Sequence, residues 1–303
     1  MRIGIQLPVQ AQSKVMAMPW ETSGDLDDIV AVAKAADAAG FAHVAVCDHV
    51  AISRDAAETM RTEWWEPFTL LGWLAAETER VRLLTHVHVP ALRHPLVTAK
   101  SLATLDRVSG GRAILGVGAG HLEAEFAAVG ADFANRGVVT DEAIDVIRLA
   151  MTDEWVTYEG THVTVHDMGI RPRPVQSPVP IWVGGSSAPA RRRAAERGDG
   201  WLPQGARRAD MPALIEHIRT HRVAVGNDQP IELGATPEPM YLGSADLPLP
   251  PSVLRGPADE LVESFKDLEA LGCSHAMAFF VSTSSADLVE QVQRFGEEVL
   301  PHL

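Results

Sequence analysis

Val81-Arg-Leu-Leu-Thr-His-Val-His-Val89 runs into Pro90-Ala-Leu-Arg-His-Pro-Leu-Val-Thr-Ala-Lys-Ser-Leu-Ala-Thr-Leu-Asp-Arg-Val-Ser-Gly-Gly111 and then into Arg112-Ala-Ile-Leu-Gly-Val117. The first segment is rich in aliphatic residues and is followed by Pro90, which reads as a strand over 81–89. Residues 94–107 read as a helix closed by Ser109-Gly-Gly111, and 113–117 is again a strand. A strand, a helix and a second strand in direct succession form a parallel βαβ unit.

The same alternation extends in both directions. Upstream, Ile3-Gly-Ile-Gln-Leu7 is a strand ended by Pro8, and Asp25 caps a helix with Leu26, Ile29, Val30, Ala33 and Ala36 at helical spacing. Gly40 stops that helix; a strand over 43–47 and a helix over 67–78 follow. Downstream come helices over 122–129 and 138–151, a strand over 181–183, a helix over 188–197, a short strand over 200–202, a helix over 210–223 and a strand over 231–235. Pro257 opens a helix with Leu261, Val262, Phe265, Leu268 and Leu271 on one face, before a strand over 275–281 and a last helix over 286–299. Eight strands alternating with helices, with no linker between halves, predict an α/β fold of the closed (β/α)8 type, a TIM barrel, as a single domain over 1–303. A doubly wound open sheet is the alternative, because the sixth and seventh strands are weakly marked. Two segments exceed simple connections. Residues 152–180 predict an inserted hairpin around Val156 to Val165, and 236–256, with Pro237, Pro239, Pro248, Pro250 and Pro251, reads either as a partial lid or as a surface connection.

Of the 303 residues, 46% are hydrophobic and 22% charged, and 24 Gly with 20 Pro are ordinary for a folded chain, so disordered, collagenous and low-complexity classes are excluded. Forty acidic against 26 basic residues give a net charge of −14, which opposes a nucleic-acid or anionic-membrane surface; neither is an expected partner. Cys47 and Cys273 lie in apolar stretches and read as buried thiols, which points to a reducing, cytoplasmic compartment. The N-terminus reads as a strand rather than a signal peptide, and no apolar run approaches the roughly 18 residues of a membrane span.

Chemistry in such barrels collects at the carboxyl ends of the strands, here Gln6, Asp48-His49, Thr85 to His88, Gly116 to His121, Gly184 to Ser187 and Phe280 to Thr283. Val183-Gly-Gly-Ser-Ser187 before a helix brings backbone N–H groups to an anion and suits a phosphate; a tight turn with a serine cap gives the same sequence. Arg191-Arg-Arg193 reads as solvated charge, with one side chain meeting an acidic tail beyond a phosphate as the alternative. Gly116 to Gly120 lacks the third glycine of a dinucleotide fingerprint, since His121 stands there, and reads as room for a flat ligand. His86 and His88 share one face of a regular strand, near Asp48 and His49, which suggests a metal hydrolase; strands five and six offer no further histidine ligands, so no metal site is expected.

In order along the chain, Gly40-Phe41, Asp48-His49, the Arg93 to Arg112 stretch, Gly116 to Gly120, Tyr158-Glu-Gly160, Arg173-Pro-Val-Gln176, Pro180 to Gly185 and Gly198-Asp-Gly-Trp-Leu-Pro203 resemble the luciferase-like monooxygenase superfamily, particularly its deazaflavin (F420)-dependent oxidoreductases. The resemblance implies a flavin or deazaflavin ring in the barrel mouth, with its phosphate at Gly184, Gly185, Ser186 and Ser187. It implies a non-proline cis peptide at His86-Val87 under the ring, between Thr85 and the strand-four residue Gly118. It makes Asp48 a contact of the deazaflavin head and His49 the active-site histidine. Some relatives have a glutamate directly after the strand-four glycines, where this chain has His121, so His121 and Glu125 join His49 as catalytic candidates. Trp20, Met60, Trp64, Trp65 and Tyr241 are candidates for an apolar substrate wall. With F420 the reaction is hydride exchange with a small organic substrate; with FMN, the alternative, it is monooxygenation by reduced flavin and oxygen. A non-catalytic flavin-binding protein is the reading from another class, and the resemblance implies a homodimer.

Overall fold

Strand β1 (Arg2–Gln6) pairs in parallel with β2 (His43–Val46) on one side and with β12 (His275–Ala278) on the other, and this double pairing closes the sheet. The computed structural model describes the chain except residues 11–13, 15, 16, 244–248, 250 and 251. Between these strands come β3 (Arg82–Thr85), β4 (Ala113–Val117), β7 (Ile181–Gly184), β8 (Gly200–Leu202) and β9 (Glu232–Ala235), so the parallel barrel runs β1-β2-β3-β4-β7-β8-β9-β12. The helices are α1 (Leu26–Ala39), α2 (Pro67–Glu77), α3 (Pro95–Val108), α4 (Glu123–Val129), α5 (Arg136–Thr152), α6 (Ala188–Arg197), α7 (Met211–Ala224), α8 (Ala258–Ala270) and α9 (Ser285–Glu298). The (β/α)8 expectation holds, and the open sheet does not.

Local chemistry sets the element ends. The Asp25 carboxylate accepts from Leu26 N in a capping box with Asp28, and Gly40 ends α1 in the left-handed region at φ 87°. The inserted hairpin is present as antiparallel β5 (Val156–Glu159) and β6 (Thr164–Met168). Strand three is shorter than the sequence suggested. Regular pairing stops at Thr85, the His86-Val87 peptide is cis, and His88 rejoins β4 through an isolated bridge to Val117. In the 236–256 segment, β10 (Met240–Leu242) and β11 (Leu254–Gly256) pair in parallel, while Pro248, Pro250 and Pro251 lie outside the described residues. Met240 N donates to Phe279 O beyond β12, and Leu242 N donates to the Gln291 side chain on α9. The described part of this segment therefore packs on the barrel wall; none of it lines the cavity at the mouth.

The main core lies between barrel and helices. A smaller inner core of Ala45, Leu84, Ile114, Trp182, Leu202 and Met277 fills the barrel axis. Two buried histidines join it: His275 stacks on Trp182 at 4.3 Å, and His43 meets the Trp182 edge at 5.4 Å. A Cβ at Gly4 would overlap the His43 imidazole, and one at Gly234 would overlap His275, so these glycines admit the rings. His43 Nε2 and both ring nitrogens of His275 have no hydrogen-bond partner among the described residues. Burial holds His43 well below its ordinary 6.5 and pushes His275 down to about 3. Among the described residues no helix is long and apolar enough to cross a membrane.

A histidine whose folded pKa is depressed stabilises the fold fully above its unfolded value and less as pH falls toward the folded value. Stability is therefore expected to decline from about pH 6.5 downward, by roughly 1.4 kcal/mol per pH unit for each such histidine. Denaturant titrations from pH 7.5 to 4.5 should show His275→Phe flattening this slope by about one histidine's share; an unchanged slope would remove His275 as a cause.

Candidate active site

Directly after β2, Asp48 is buried and its carboxylate is fully engaged. Oδ1 and Oδ2 accept from Arg93 Nη2 and Nη1 at 2.8 and 2.7 Å, Oδ2 accepts from Val89 N at 3.0 Å, and His88 Nδ1 lies 2.9 Å away. Burial alone would raise this carboxyl, but His88 and Arg93 outweigh it and hold the pKa far below the usual range. The group ties β2 to the segment after β3 and to the start of α3. His88 does not share a face with His86: its Nε2 lies 3.0 Å from Thr98 Oγ1 of α3 and its ring packs on Phe68 of α2, because strand alternation ends at Thr85. Among the described residues no group of three or more His, Cys, Asp or Glu is placed to hold a metal ion.

The next residue, His49, has a side chain only 6% exposed. Its Nδ1 lies 3.0 Å from Glu125 Oε2, while Glu125 Oε1 accepts from Val50 N at 2.6 Å and from Ala51 N at 3.3 Å. An ionised carboxylate only accepts, so Nδ1 carries the proton and Nε2, which has no partner among the described residues, is the nitrogen free for chemistry. Trp64 packs on the ring at 4.5 Å, and His121 lies 5.6 Å away, centroid to centroid. Burial, and then the neighbouring His49, push the His121 pKa down.

A cavity of about 600 Å³ opens at the carboxyl ends of the strands, within the range of roughly 300–1,000 Å³ usual for small-molecule sites. Asp48, His49, His86 and Val87 form one end, and Gly118 and His121 the side. Gly184, Gly185 and Ser187 lead to α6, whose N-terminus Ser187 caps by accepting from Ala190 N. Burial pushes His86 down to about 4, so a neutral imidazole faces the cavity while its Nδ1 is buried without a partner. Gly118 and Gly184 are small for a different reason than a flat ligand. The Val87 side chain occupies the space where a Cβ at either would fall, and so wedges between the ends of β4 and β7. Gly185, at φ 100°, turns the chain toward α6.

Three nominated residues stand behind the cavity wall. Thr85 Oγ1 and the Gly116 backbone exchange hydrogen bonds at 2.8 and 2.9 Å, Ser186 Oγ accepts from Gln204 N at 3.1 Å, and Glu125 supports His49. Of the aromatic candidates, Trp64 reaches His49; Trp20 donates to Ser282 Oγ, Trp65 packs on the main core, Met60 lines a separate cavity beside Arg61, and Tyr241 lies on β10. Cys47 also borders the main cavity, and burial pushes its thiol up to about 12; Cys273 is likewise buried and free.

Sequence reading gave Arg93 and Arg136 no role of their own, and it took Arg191-Arg-Arg193 together. Contrary to the expectation of solvated charge, Arg193 is only 3% exposed, donating from Nε to Asp141 at 2.6 Å and from Nη2 to Gly137 O at 2.9 Å. Arg192 is exposed, and Arg191 donates to Ser186 O behind the phosphate-type turn. The helical period separates the three side chains, but which of them turns inward depends on α5, which no local pattern reveals.

A closed barrel with a bulge-backed cavity and an anion-type turn at its mouth defines a cofactor-binding α/β barrel. The family model described as luciferase-like monooxygenase matches residues 1–242, and the chain belongs to that family. It is 31% identical over 225 residues to an uncharacterised protein of Mycobacterium tuberculosis, covering 70% of this chain and 77% of the relative. It is 35% identical over 224 residues to an F420-dependent glucose-6-phosphate dehydrogenase of Beutenbergia cavernae, covering 70% and 65%. The structure of the monooxygenase RslO1 from Streptomyces bottropensis superposes with a TM-score of 0.81 at 23% identity, covering 100% of this chain and 99% of that one, which shows a shared fold.

Arg93→Ala strands a buried carboxylate and is expected to cost about 3–5 kcal/mol in denaturant unfolding at pH 7. The Asp48 contribution is complete at neutral pH and lost only in acid, below the ordinary 3.8. A variant as stable as the parent would show that His88 and Val89 N suffice for Asp48.

Proposed function

We propose that this enzyme is an F420-dependent oxidoreductase that exchanges hydride between the deazaflavin and a small organic substrate. The observation that carries the reading is His49, held by Glu125 through Nδ1 with Nε2 free, beside the His86-Val87 bulge in a cavity that ends at a capped helix N-terminus. The likeness to a relative named as F420-dependent supports deazaflavin as the cofactor.

The bound deazaflavin supplies a ring carbon that accepts and returns hydride while reacting poorly with oxygen. The protein supplies the rest. The α6 N-terminus at Ser187 would take the phosphate, with Gly185 leaving room for it to approach. Val87 and the neutral His86, which line the cavity, would hold the ring. His49 Nε2 takes or returns the proton that accompanies hydride exchange, Glu125 fixes the tautomer, and Trp64 limits ring rotation. Neutral His121 extends the polar edge toward the substrate. The homodimer belongs to the same reading.

Fluorescence titration of the apoprotein with F420 and with FMN, followed by anaerobic single turnovers with reduced F420 and a panel of small carbonyl and enone acceptors, tests the assignment. Tighter F420 binding and anaerobic product are expected; tighter FMN binding with oxygen-dependent product would assign the protein to monooxygenation instead. His49→Ala is expected to slow turnover by about 10²–10⁴-fold with little change in F420 affinity. Full turnover in that variant would move the proton to His121.

A further inference from the structure

The segments after β1 and β2 each carry one short 3-10 turn, Pro19–Thr22 in the first and Ala56–Glu58 in the second. A second cavity of about 550 Å³ lies between them, and among the described residues none lines both this cavity and the one at the barrel mouth. Its volume falls in the range usual for small-molecule sites. Met18, Pro19, Ala57 and Met60 give it an apolar wall, and Lys14, Arg61 and Glu63 give it charge. Two cations against one carboxylate make this lining net positive in a chain whose net charge is −14.

Arg61 is the group that needs a partner. It is only 7% exposed; Nη2 donates to Glu21 O at 2.7 Å, and the buried Nη1 has no hydrogen-bond partner among the described residues. The nearby Glu21 carboxylate is already engaged, accepting from Val9 N at 2.6 Å and from Met18 N at 2.7 Å. Among the described residues the one carboxylate that meets Arg61 is Glu63, whose Oε2 lies a long 3.4 Å from Nε and whose side chain is 56% exposed. A guanidinium holds a carboxylate best through two parallel bonds of about 2.7–2.9 Å, a grip that Glu63 does not provide. Lys14 Nζ donates to Ala57 O at 2.6 Å, which leaves its charge without a carboxylate among the described residues. Arg61 also belongs to the loop that seats an active-site ring: its carbonyl accepts from Trp64 Nε1 at 2.8 Å, and Trp64 packs on His49 at 4.5 Å.

We propose that this cavity is a second small-molecule site, which takes an organic acid with an apolar body. The acid's carboxylate displaces the exposed Glu63 from Arg61 and has Lys14 as its second cation, while its body lies along Met18, Pro19, Ala57 and Met60. The site goes beyond the cofactor reading and stands whichever cofactor fills the main cavity. Its occupant bears on His49 through one backbone hydrogen bond, from Trp64 to Arg61.

Calorimetry of the wild-type protein with octanoate, octylammonium and inorganic phosphate tests the site. Octanoate is expected to bind about tenfold or more tightly than either of the others. Glu63→Gln removes the competing carboxylate from an exposed position and should tighten octanoate about threefold, whereas Lys14→Gln should weaken it by a similar factor. Arg61→Gln, with folding checked by its melting curve, should weaken octanoate about tenfold or more; if that variant does not fold, the opposite effects at Glu63 and Lys14 decide. Failure of the wild-type protein to bind octanoate, or equal binding of octylammonium, would overturn the site. Phosphate binding as tightly as octanoate would overturn the assignment to an organic acid. Octanoate affinity unchanged in both Glu63→Gln and Lys14→Gln would put the acid elsewhere on the molecule and overturn the proposal as well.

Discussion

The Asp48 carboxylate, buried and bound by Arg93, Val89 N and His88, is the interaction around which the barrel mouth is arranged. It joins three parts of the chain that sheet pairing alone does not hold: the end of β2, the irregular stretch after Thr85 and the entry to α3. The residue before it borders the cavity, and the residue after it is His49. The stretch it holds carries the His86-Val87 peptide, whose valine wedges against Gly118 and Gly184. A buried ion pair of this kind adds little stability over an apolar substitute, but losing one partner is costly, which suits a contact that specifies geometry more than it adds stability.

Around this anchor the site is built from groups kept in distinct charge states. His86 and His121 are pushed toward neutrality by burial, and Cys47 is held as a thiol. Glu125 presents its carboxylate to one nitrogen of His49 and to two backbone N–H groups. Arg136, which also lines the cavity, bonds only to the carbonyls of Gly120 and Phe133.

Much of the fold was legible because its signals are local. Asp25 with Gly40 bounded α1, the residues of β4 and β8 stood out as short apolar runs, and Tyr158-Glu-Gly160 marked the hairpin. Cavity-lining residues were legible where they sit at strand ends, as with Asp48, His49 and Gly185. Long-range partnerships were hidden. Nothing near Arg93 shows that it faces Asp48, and nothing in Arg191-Arg-Arg193 shows that the third arginine reaches Asp141 on another helix. The strand read over 81–89 is shorter for a related reason: its alternation looks regular, yet regular pairing stops at Thr85 and the Val89 N–H goes to Asp48, a partner distant in sequence. The glycines of β4 and β7 were legible as close approaches, but what approaches Gly118 and Gly184 is the valine of β3's own extension.

The most direct measurement of the central claim is a crystal structure of the protein with F420 bound. The ring should rest on the His86-Val87 segment with His49 Nε2 within about 3.5 Å of a ring or substrate atom that exchanges a proton, and the phosphate should lie at the N-terminus of α6 beside Ser187. A ring seated away from the bulge, or a phosphate held elsewhere than at the α6 N-terminus, would contradict the account.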